Sequence, residues 1–148
     1  EVIADELAEY IESNLKDRKF YVIGFSQGGI IWRTCAMRYP GLQKQVPAAF
    51  TVSTPHAGSW FAYLGMGEGV ADLRPGSELL KKLDACEDSI PYYAFYNPLD
   101  SFVVPGSSGF LKRAKVNVRV PSWTHMSAFG EQKVLEFIDS VIFDGQKI

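Results

Sequence analysis

Ser26 stands in a sequence pattern that could make its hydroxyl a nucleophile. It lies in Gly24-x-Ser26-x-Gly28, directly after the apolar run 20–23 and directly before a helical pattern. A tight strand-to-helix turn of this kind, a nucleophile elbow, exposes the serine oxygen, and small flanking residues let the chain cross itself. The oxygen would lie at the beginning of a helix, where free N–H groups favour negative charge. A glycine-rich turn that merely joins the two elements is the alternative.

A serine hydroxyl needs a base to take its proton, and the base needs an acid to fix its tautomer. The sequence contains two histidines, His56 and His125, and each follows a predicted strand. The chain order serine, acid, histidine favours His125 as the base. We expect His56 to brace its loop. A hydrogen-bonded structural role is the alternative for both.

Asp100 is the candidate for the acid. It follows the predicted strand 92–96 by four positions and precedes His125 by 25. In open α/β sheets the functional residues gather at the carboxyl ends of the strands, where these positions fall. Asp100 could equally initiate a turn, since aspartate is common there.

Strands and helices alternate along the chain. Apolar runs predict strands and amphipathic periodicity predicts helices: strands at 20–23, 48–52, 92–96 and 116–120, and helices at 2–15, 27–38, 77–86 and 131–143. The alternation predicts an α/β fold with a mainly parallel sheet and flanking helices. With no repeat and no linker we expect one domain over 1–148, in which the glycine-rich and aromatic stretch at about 55–90 is a lid- or cap-like insertion.

Four segments in this order resemble the α/β-hydrolase superfamily, specifically its lipase- and esterase-like members. They are Gly24 to Gly29, Thr54 to Ser59, Asp100 with Val103-Val104-Pro105, and His125. The resemblance implies ester hydrolysis through an acyl-enzyme, with Ser26 as nucleophile, His125 as base and then acid, and Asp100 as its orienter. It also implies that the backbone N–H of Gln27 is one donor of the oxyanion hole.

The resemblance has one departure. Members of the superfamily have several strands before the helix that precedes the elbow, and the second oxyanion donor follows an early strand. Here the sequence begins with that helix. We therefore expect the chain to be the C-terminal portion of a larger domain, without the N-terminal strands, or to pair with another chain. The wording Gly-Phe-Ser-Gln-Gly-Gly also resembles palmitoyl-protein thioesterases, so a thioesterase and a catalytically inactive binding protein are alternatives.

An apolar cluster directly follows the His56 loop. We expect Trp60 and Phe61, together with Phe102 and Trp123, to line an acyl pocket or its lid. Plain core packing is the alternative. The substrate expected from this reading is an ester with an apolar acyl group.

Charge and composition exclude several classes of protein. The formal net charge is −2, from 15 basic and 17 acidic residues, and provides no electrostatic footprint for nucleic acid. No apolar run approaches the roughly 20 residues of a transmembrane helix. The sequence has no phosphate-binding loop with lysine and no metal-ligand spacing, so we expect neither cofactor nor metal. Cys35 falls inside a helix and is expected to be a buried, inert thiol.

Overall fold

Four short strands form a parallel sheet in the order β1-β2-β3-β4. The structure, a computed structural model, describes residues 1–144. The strands are β1 (Val22–Phe25), β2 (Ala49–Val52), β3 (Tyr92–Tyr96) and β4 (Val116–Arg119). Each pairs in parallel with the next. Their carboxyl ends therefore meet at one edge of the sheet.

Within residues 1–144, five α-helices connect and flank the strands. They are α1 (Val2–Asn14), α2 (Gln27–Arg38), α3 (Glu68–Ala71), α4 (Glu78–Ala85) and α5 (Gln132–Asp144). Short 3₁₀ helices occupy Pro40–Gln45, Trp60–Tyr63 and Gly106–Gly109. The predicted α/β fold with a parallel sheet is confirmed, whereas α3 and the 3₁₀ helices were not predicted. Among the described residues, no helix is both long and apolar enough to cross a membrane.

The two central strands, β2 and β3, are buried between two apolar layers. On β3, Tyr92 and Ala94 belong to the core on the side of α1 and α2, whereas Tyr93 and Phe95 belong to the core on the side of α5. This is the alternation that the pleat imposes on a strand covered on both faces. A third apolar cluster joins α4 to α2 through Leu79, Leu80, Leu83 and Ile30.

The environments of the first strand and the first helix differ from expectation. The apolar run around β1 predicts a strand buried on both faces, but the side chain of Ile23 is 47% exposed. In the described sheet β1 is an edge strand. On α1 the periodicity predicts that Ile3 faces the core, but Ile3 is exposed. The buried face includes Ala4 and Ala8 instead, because small side chains let α1 approach α2 closely.

Candidate active site

Ser26 occupies the turn between β1 and α2. It is the residue before the first turn of α2, and its backbone has φ 51° and ψ −125°. A non-glycine residue in this left-handed region costs about 1–3 kcal/mol and persists only where the surroundings enforce it. The neighbouring strand contributes to this, since the Ser26 N–H donates to the carbonyl of Val52 at 2.8 Å. The strained turn that the motif predicts is therefore present.

Two glycines make the close approach at this turn possible. A Cβ on Gly24 would lie 2.7 Å from both Cα and N of Gly29, and a Cβ on Gly29 would lie 2.7 Å from Cγ2 of Thr54. Gly28 has nothing within 4 Å of the corresponding position. The sequence motif predicts that Gly24 and Gly28 provide the space. The structure assigns this role to Gly24 and Gly29.

The three side chains proposed from the sequence form one hydrogen-bonded chain. Nε2 of His125 lies 2.9 Å from Oγ of Ser26, and Nδ1 of His125 lies 2.8 Å from both carboxyl oxygens of Asp100. An ionised carboxylate only accepts, so Nδ1 of His125 carries the hydrogen and Nε2 is free to accept from the Ser26 hydroxyl. Hydrogen bonds therefore connect a hydroxyl, an imidazole and a carboxyl group in one line.

The side chains of His125 and Asp100 are each held by neighbouring groups. The rings of Phe25 and Phe102 lie 4.9 and 5.2 Å from the His125 ring. The backbone N–H groups of Phe102 and Val103 each donate to Oδ1 of Asp100 at 2.9 Å. The buried carboxyl group of Asp100 is thus oriented from its own loop, and the His125 ring is confined between two aromatic rings.

A cavity of about 260 Å³ opens beside Ser26. Ser26, Gln27 and Ser59 contribute to its lining, and the other lining residues are mostly apolar: Pro55, Phe61, Ala62, Gly65, Val70, Leu73, Phe102 and Val103. Gln27 is the first residue of α2, and the first N–H groups of a helix have no partner within the helix. The cavity can therefore hold an apolar group with a polar atom at the helix N-terminus.

The four aromatic residues expected to contact substrate separate into two pairs. Phe61 and Phe102 line the cavity and contact each other, with ring centroids 4.8 Å apart. Trp60 and Trp123 do not belong to this lining. Trp60 stacks on Tyr63, and Trp123 is 97% exposed. The sequence alone could not predict that Phe61 lines the cavity and Trp60 does not. The two residues are adjacent, and the directions of their side chains depend on the local backbone.

His56 lies under its loop, away from Ser26. It is buried, with Nε2 2.9 Å from Oγ1 of Thr51 and Nδ1 3.3 Å from Nη1 of Arg33. Burial, followed by the neighbouring Arg33 charge, lowers the pKa of His56 well below its ordinary value. A neutral imidazole that joins β2 to α2 is a structural support, in keeping with the bracing role expected from the sequence.

Ser59 is a site residue that the sequence reasoning missed. Its hydroxyl donates to the carbonyl of Phe102 at 2.6 Å and accepts from the N–H of Val104 at 3.0 Å. It also accepts from the N–H of Phe61 at 3.2 Å. Ser59 therefore ties the 3₁₀ helix at the cavity to the loop that carries Asp100. Its position at the end of the Thr54–Ser59 segment was the available signal.

No group of three or more His, Cys, Asp or Glu side chains able to hold a metal ion occurs in the described part of the chain.

Solved structures share this architecture. The mature lipase BlEst2 of Bacillus licheniformis superposes with a TM-score of 0.69 at 18% identity, over 94% of this chain and 71% of that protein. Lipase B of Aspergillus fumigatus gives a TM-score of 0.69 at 19% identity, over 82% of this chain and 36% of that one. An α/β superfamily hydrolase from Oenococcus oeni gives 0.64 at 14% identity, over 95% and 72%.

The chain has the α/β-hydrolase fold. The resemblance noted in the sequence is thereby confirmed for the fold. No protein-family model matches the sequence, and no curated protein matches it either. The chain spans about a third of the length of the Aspergillus lipase and less than three quarters of the other two proteins. An α/β-hydrolase fold places its reactive groups at the carboxyl edge of the sheet, where Ser26, Asp100 and His125 lie.

Proposed function

We propose that this chain carries the catalytic centre of a serine ester hydrolase that acts on esters with an apolar acyl group. The single observation that supports it most strongly is the continuous chain of hydrogen bonds from Oγ of Ser26 through the His125 ring to Asp100. The likeness of fold to lipases and to another hydrolase agrees with this proposal.

The proposed reaction passes through an acyl-enzyme. Oγ of Ser26 attacks the ester carbonyl carbon while Nε2 of His125 takes the hydroxyl proton, and the carbonyl π electrons move to the oxygen. The Gln27 N–H at the beginning of α2 stabilises this oxyanion. The tetrahedral intermediate then collapses, the bond to the alcohol breaks, and His125 gives its proton to the leaving oxygen. Water, deprotonated by His125, next attacks the acyl carbon; the bond from that carbon to Oγ of Ser26 breaks, His125 returns the proton to Oγ, and the acid is released.

The shape of the cavity favours a medium-length acyl chain. The cavity of about 260 Å³ is larger than an acetyl group needs, so it admits an acyl chain of several carbons. The segments 53–67 and 120–130 at this edge contain no Asp, Glu, Lys or Arg, and 97–105 contains Asp100 alone. Uncharged surroundings favour an apolar substrate over a charged one.

A fluorophosphonate probe tests the proposed nucleophile. Wild-type protein should be labelled covalently, and Ser26→Ala should not. Ser101 is exposed and follows Asp100, so Ser101→Ala is the control and should be labelled like wild type. A folded wild-type protein that remains unlabelled would show that Ser26 is not activated and would favour a binding role. Matched oxygen and thiol esters of the same acid then separate an esterase from a thioesterase.

An acyl-chain series tests the proposed pocket. Among acetyl, butyryl, octanoyl and palmitoyl p-nitrophenyl esters, kcat/KM should be highest for octanoyl. Phe61→Ala should shift the preference toward palmitoyl because it enlarges the cavity. Trp60→Ala is the matched control, since the adjacent Trp60 does not line the cavity and should leave the preference unchanged. An identical preference in wild type and Phe61→Ala would remove the cavity from the proposal.

A further inference from the structure

The main-chain pairing of β3 with β4 stops just before the loops that carry the acid and the base. The last paired residues are Tyr96 and Arg119, and beyond them the Val120 N–H donates to the carbonyl of Tyr96 at 2.9 Å. The next residue, Pro121, has no N–H and cannot continue the ladder. Backbone pairing therefore cannot fix the distance between the two loops.

The side chain of Asn97 takes over at this point. Its Nδ2 donates to the carbonyl of Ser122 at 3.0 Å, and its Oδ1 accepts from the N–H of Ser122 at 3.3 Å. The same Oδ1 accepts from the N–H of Leu99 at 3.0 Å. Asn97 and Ser122 are 1% and 3% exposed, so water cannot easily replace these bonds. The amide of Asn97 thus accepts from the N–H of Leu99 in its own loop and pairs with both backbone groups of Ser122 in the loop of His125.

The acid and the base lie at matching positions beyond this bridge. Asp100 is three positions after Asn97, and His125 is three positions after Ser122. Among the side-chain hydrogen bonds of the described residues, those between the loops 97–105 and 120–127 are the Asn97–Ser122 pair and the Asp100–His125 pair. The first pair therefore sets the spacing over which the second must form.

We infer that Asn97 is a positioning residue that holds the loops of Asp100 and His125 at the separation their hydrogen bond requires. For its effect on turnover, this inference rests on the proposed function. Its effect on the Asp100–His125 bond does not depend on turnover. Removing the amide leaves the N–H and carbonyl of buried Ser122 without partners, so the His125 loop shifts to satisfy them.

Asn117 provides a matched control. It also uses its amide to pair with both backbone groups of one residue, accepting from the N–H of Leu111 at 2.9 Å and donating to its carbonyl at 3.0 Å. This second bridge joins β4 to the segment after the 3₁₀ helix at Gly106–Gly109, outside the loops of the acid and the base. Asn117→Ala thus removes an equivalent pair of hydrogen bonds without touching the proposed mechanism.

The first measurement is the downfield proton NMR signal of the Nδ1 proton that His125 shares with Asp100, in the full chain. Because the chain has two histidines, a His56→Gln variant completes the assignment. Asn97→Ala should lose or broaden this signal while retaining native circular dichroism, and Asn117→Ala should keep it. Should Asn97→Ala fail to fold, Asn97→Ser serves instead, since a serine hydroxyl still supports the local turn but cannot span to Ser122. An unchanged signal in a folded Asn97 variant overturns the inference.

The second measurement is ester hydrolysis. A misplacement of reacting groups by about 1 Å can cost about 10²-fold in rate, so Asn97→Ala should lower kcat by about 10²-fold with KM unchanged, whereas Asn117→Ala should leave kcat near wild type. In an Asp100→Ala background, Asn97→Ala should cause little further loss, because the bond it positions is already gone. An equal loss in both backgrounds shows a merely structural role and overturns the inference. If wild type neither hydrolyses esters nor reacts with fluorophosphonate while the NMR results are as expected, the proposed function fails and the positioning role stands.

Discussion

Alanine substitutions at Gly24, Gly28 and Gly29, the three glycines beside Ser26, should have sharply different effects on the free energy of unfolding. Alanine is favoured over glycine by about 1 kcal/mol within a helix, and a Cβ on Gly28 meets nothing within 4 Å. Gly28→Ala should therefore raise the free energy of unfolding by up to about 1 kcal/mol. A motif-based view, in which both flanking glycines are sterically required, predicts a loss instead.

Gly29→Ala adds a methyl group against Thr54. Overpacking of this kind costs about 1–3 kcal/mol, and the helix preference for alanine offsets about 1 kcal/mol of it. The expected change is a loss of up to about 2 kcal/mol. Gly24→Ala should be worse, at about 3 kcal/mol or more, because its Cβ would lie 2.7 Å from backbone atoms of Gly29 that no rotamer change can move.

Urea unfolding followed by circular dichroism measures these changes, with a slope of about 1–3 kcal/mol per molar urea. Thr54→Ala in the Gly29→Ala background should recover part of the lost free energy of unfolding. It removes two of the three atoms nearest to the new Cβ and leaves the Cβ of residue 54 at 2.9 Å from it. Equal shifts for Gly28→Ala and Gly29→Ala, or no coupling between Gly29 and Thr54, would refute the steric reasoning.

Three further outcomes are expected. Ser59→Ala should lower the free energy of unfolding by about 1–3 kcal/mol, because it breaks the bonds to Phe102, Val104 and Phe61, and it should slow fluorophosphonate labelling. The exposed Ser140→Ala, which loses one bond to the carbonyl of Phe137, is the control, and equal losses contradict the reasoning. The pKa of buried His56 in the folded protein lies below its unfolded value of about 6.5, so the unfolded state binds the extra proton as the pH is lowered. At pH values below about 6.5 the free energy of unfolding should therefore decrease by up to about 1.4 kcal/mol per pH unit. His56→Gln should show a shallower fall in urea unfolding at successive pH values, and a parallel dependence would argue against a neutral buried imidazole. Burial raises the pKa of Cys35 to about 11, so at pH 8 iodoacetamide should modify Cys86 in the native protein and Cys35 only after unfolding, as peptide mass mapping would show.

The local sequence was sufficient to predict the elements that carry the site. The run Tyr92–Tyr96 is a strand in the structure, and Gln27–Arg38 is a helix, since strand apolarity and helix periodicity are both local properties. Chain order selected His125 and the position after the strand 92–96 selected Asp100; in the structure His125 lies against Ser26 and Asp100 lies against His125. The apolar run also predicts burial of both faces of β1, but Ile23 is 47% exposed, because burial of a face depends on which distant segments pack against it.

The supporting contacts of the site could not be predicted from the sequence for a different reason. Ser59 and Asn97 act through backbone groups of residues that lie 25 to 45 positions away. Such bonds depend on how loops meet in three dimensions, and a serine or an asparagine after a strand also suits an ordinary turn. With two histidines in the sequence, the candidates for a base were few enough to compare one by one, whereas the polar residues in the loops are too many for such a comparison.

Phe102 contacts Asp100, His125 and the cavity at the same time. Its N–H donates to Asp100, its ring packs against His125, and the same ring forms part of the cavity wall. If the proposed function holds, substitutions of Phe102 that change the proposed acyl preference should also disturb the Asp100–His125 pair and slow turnover. Phe61 lines the same cavity and has no hydrogen bond to Asp100 or His125 among the described residues, so under the proposed function its substitution should change acyl preference with less effect on turnover.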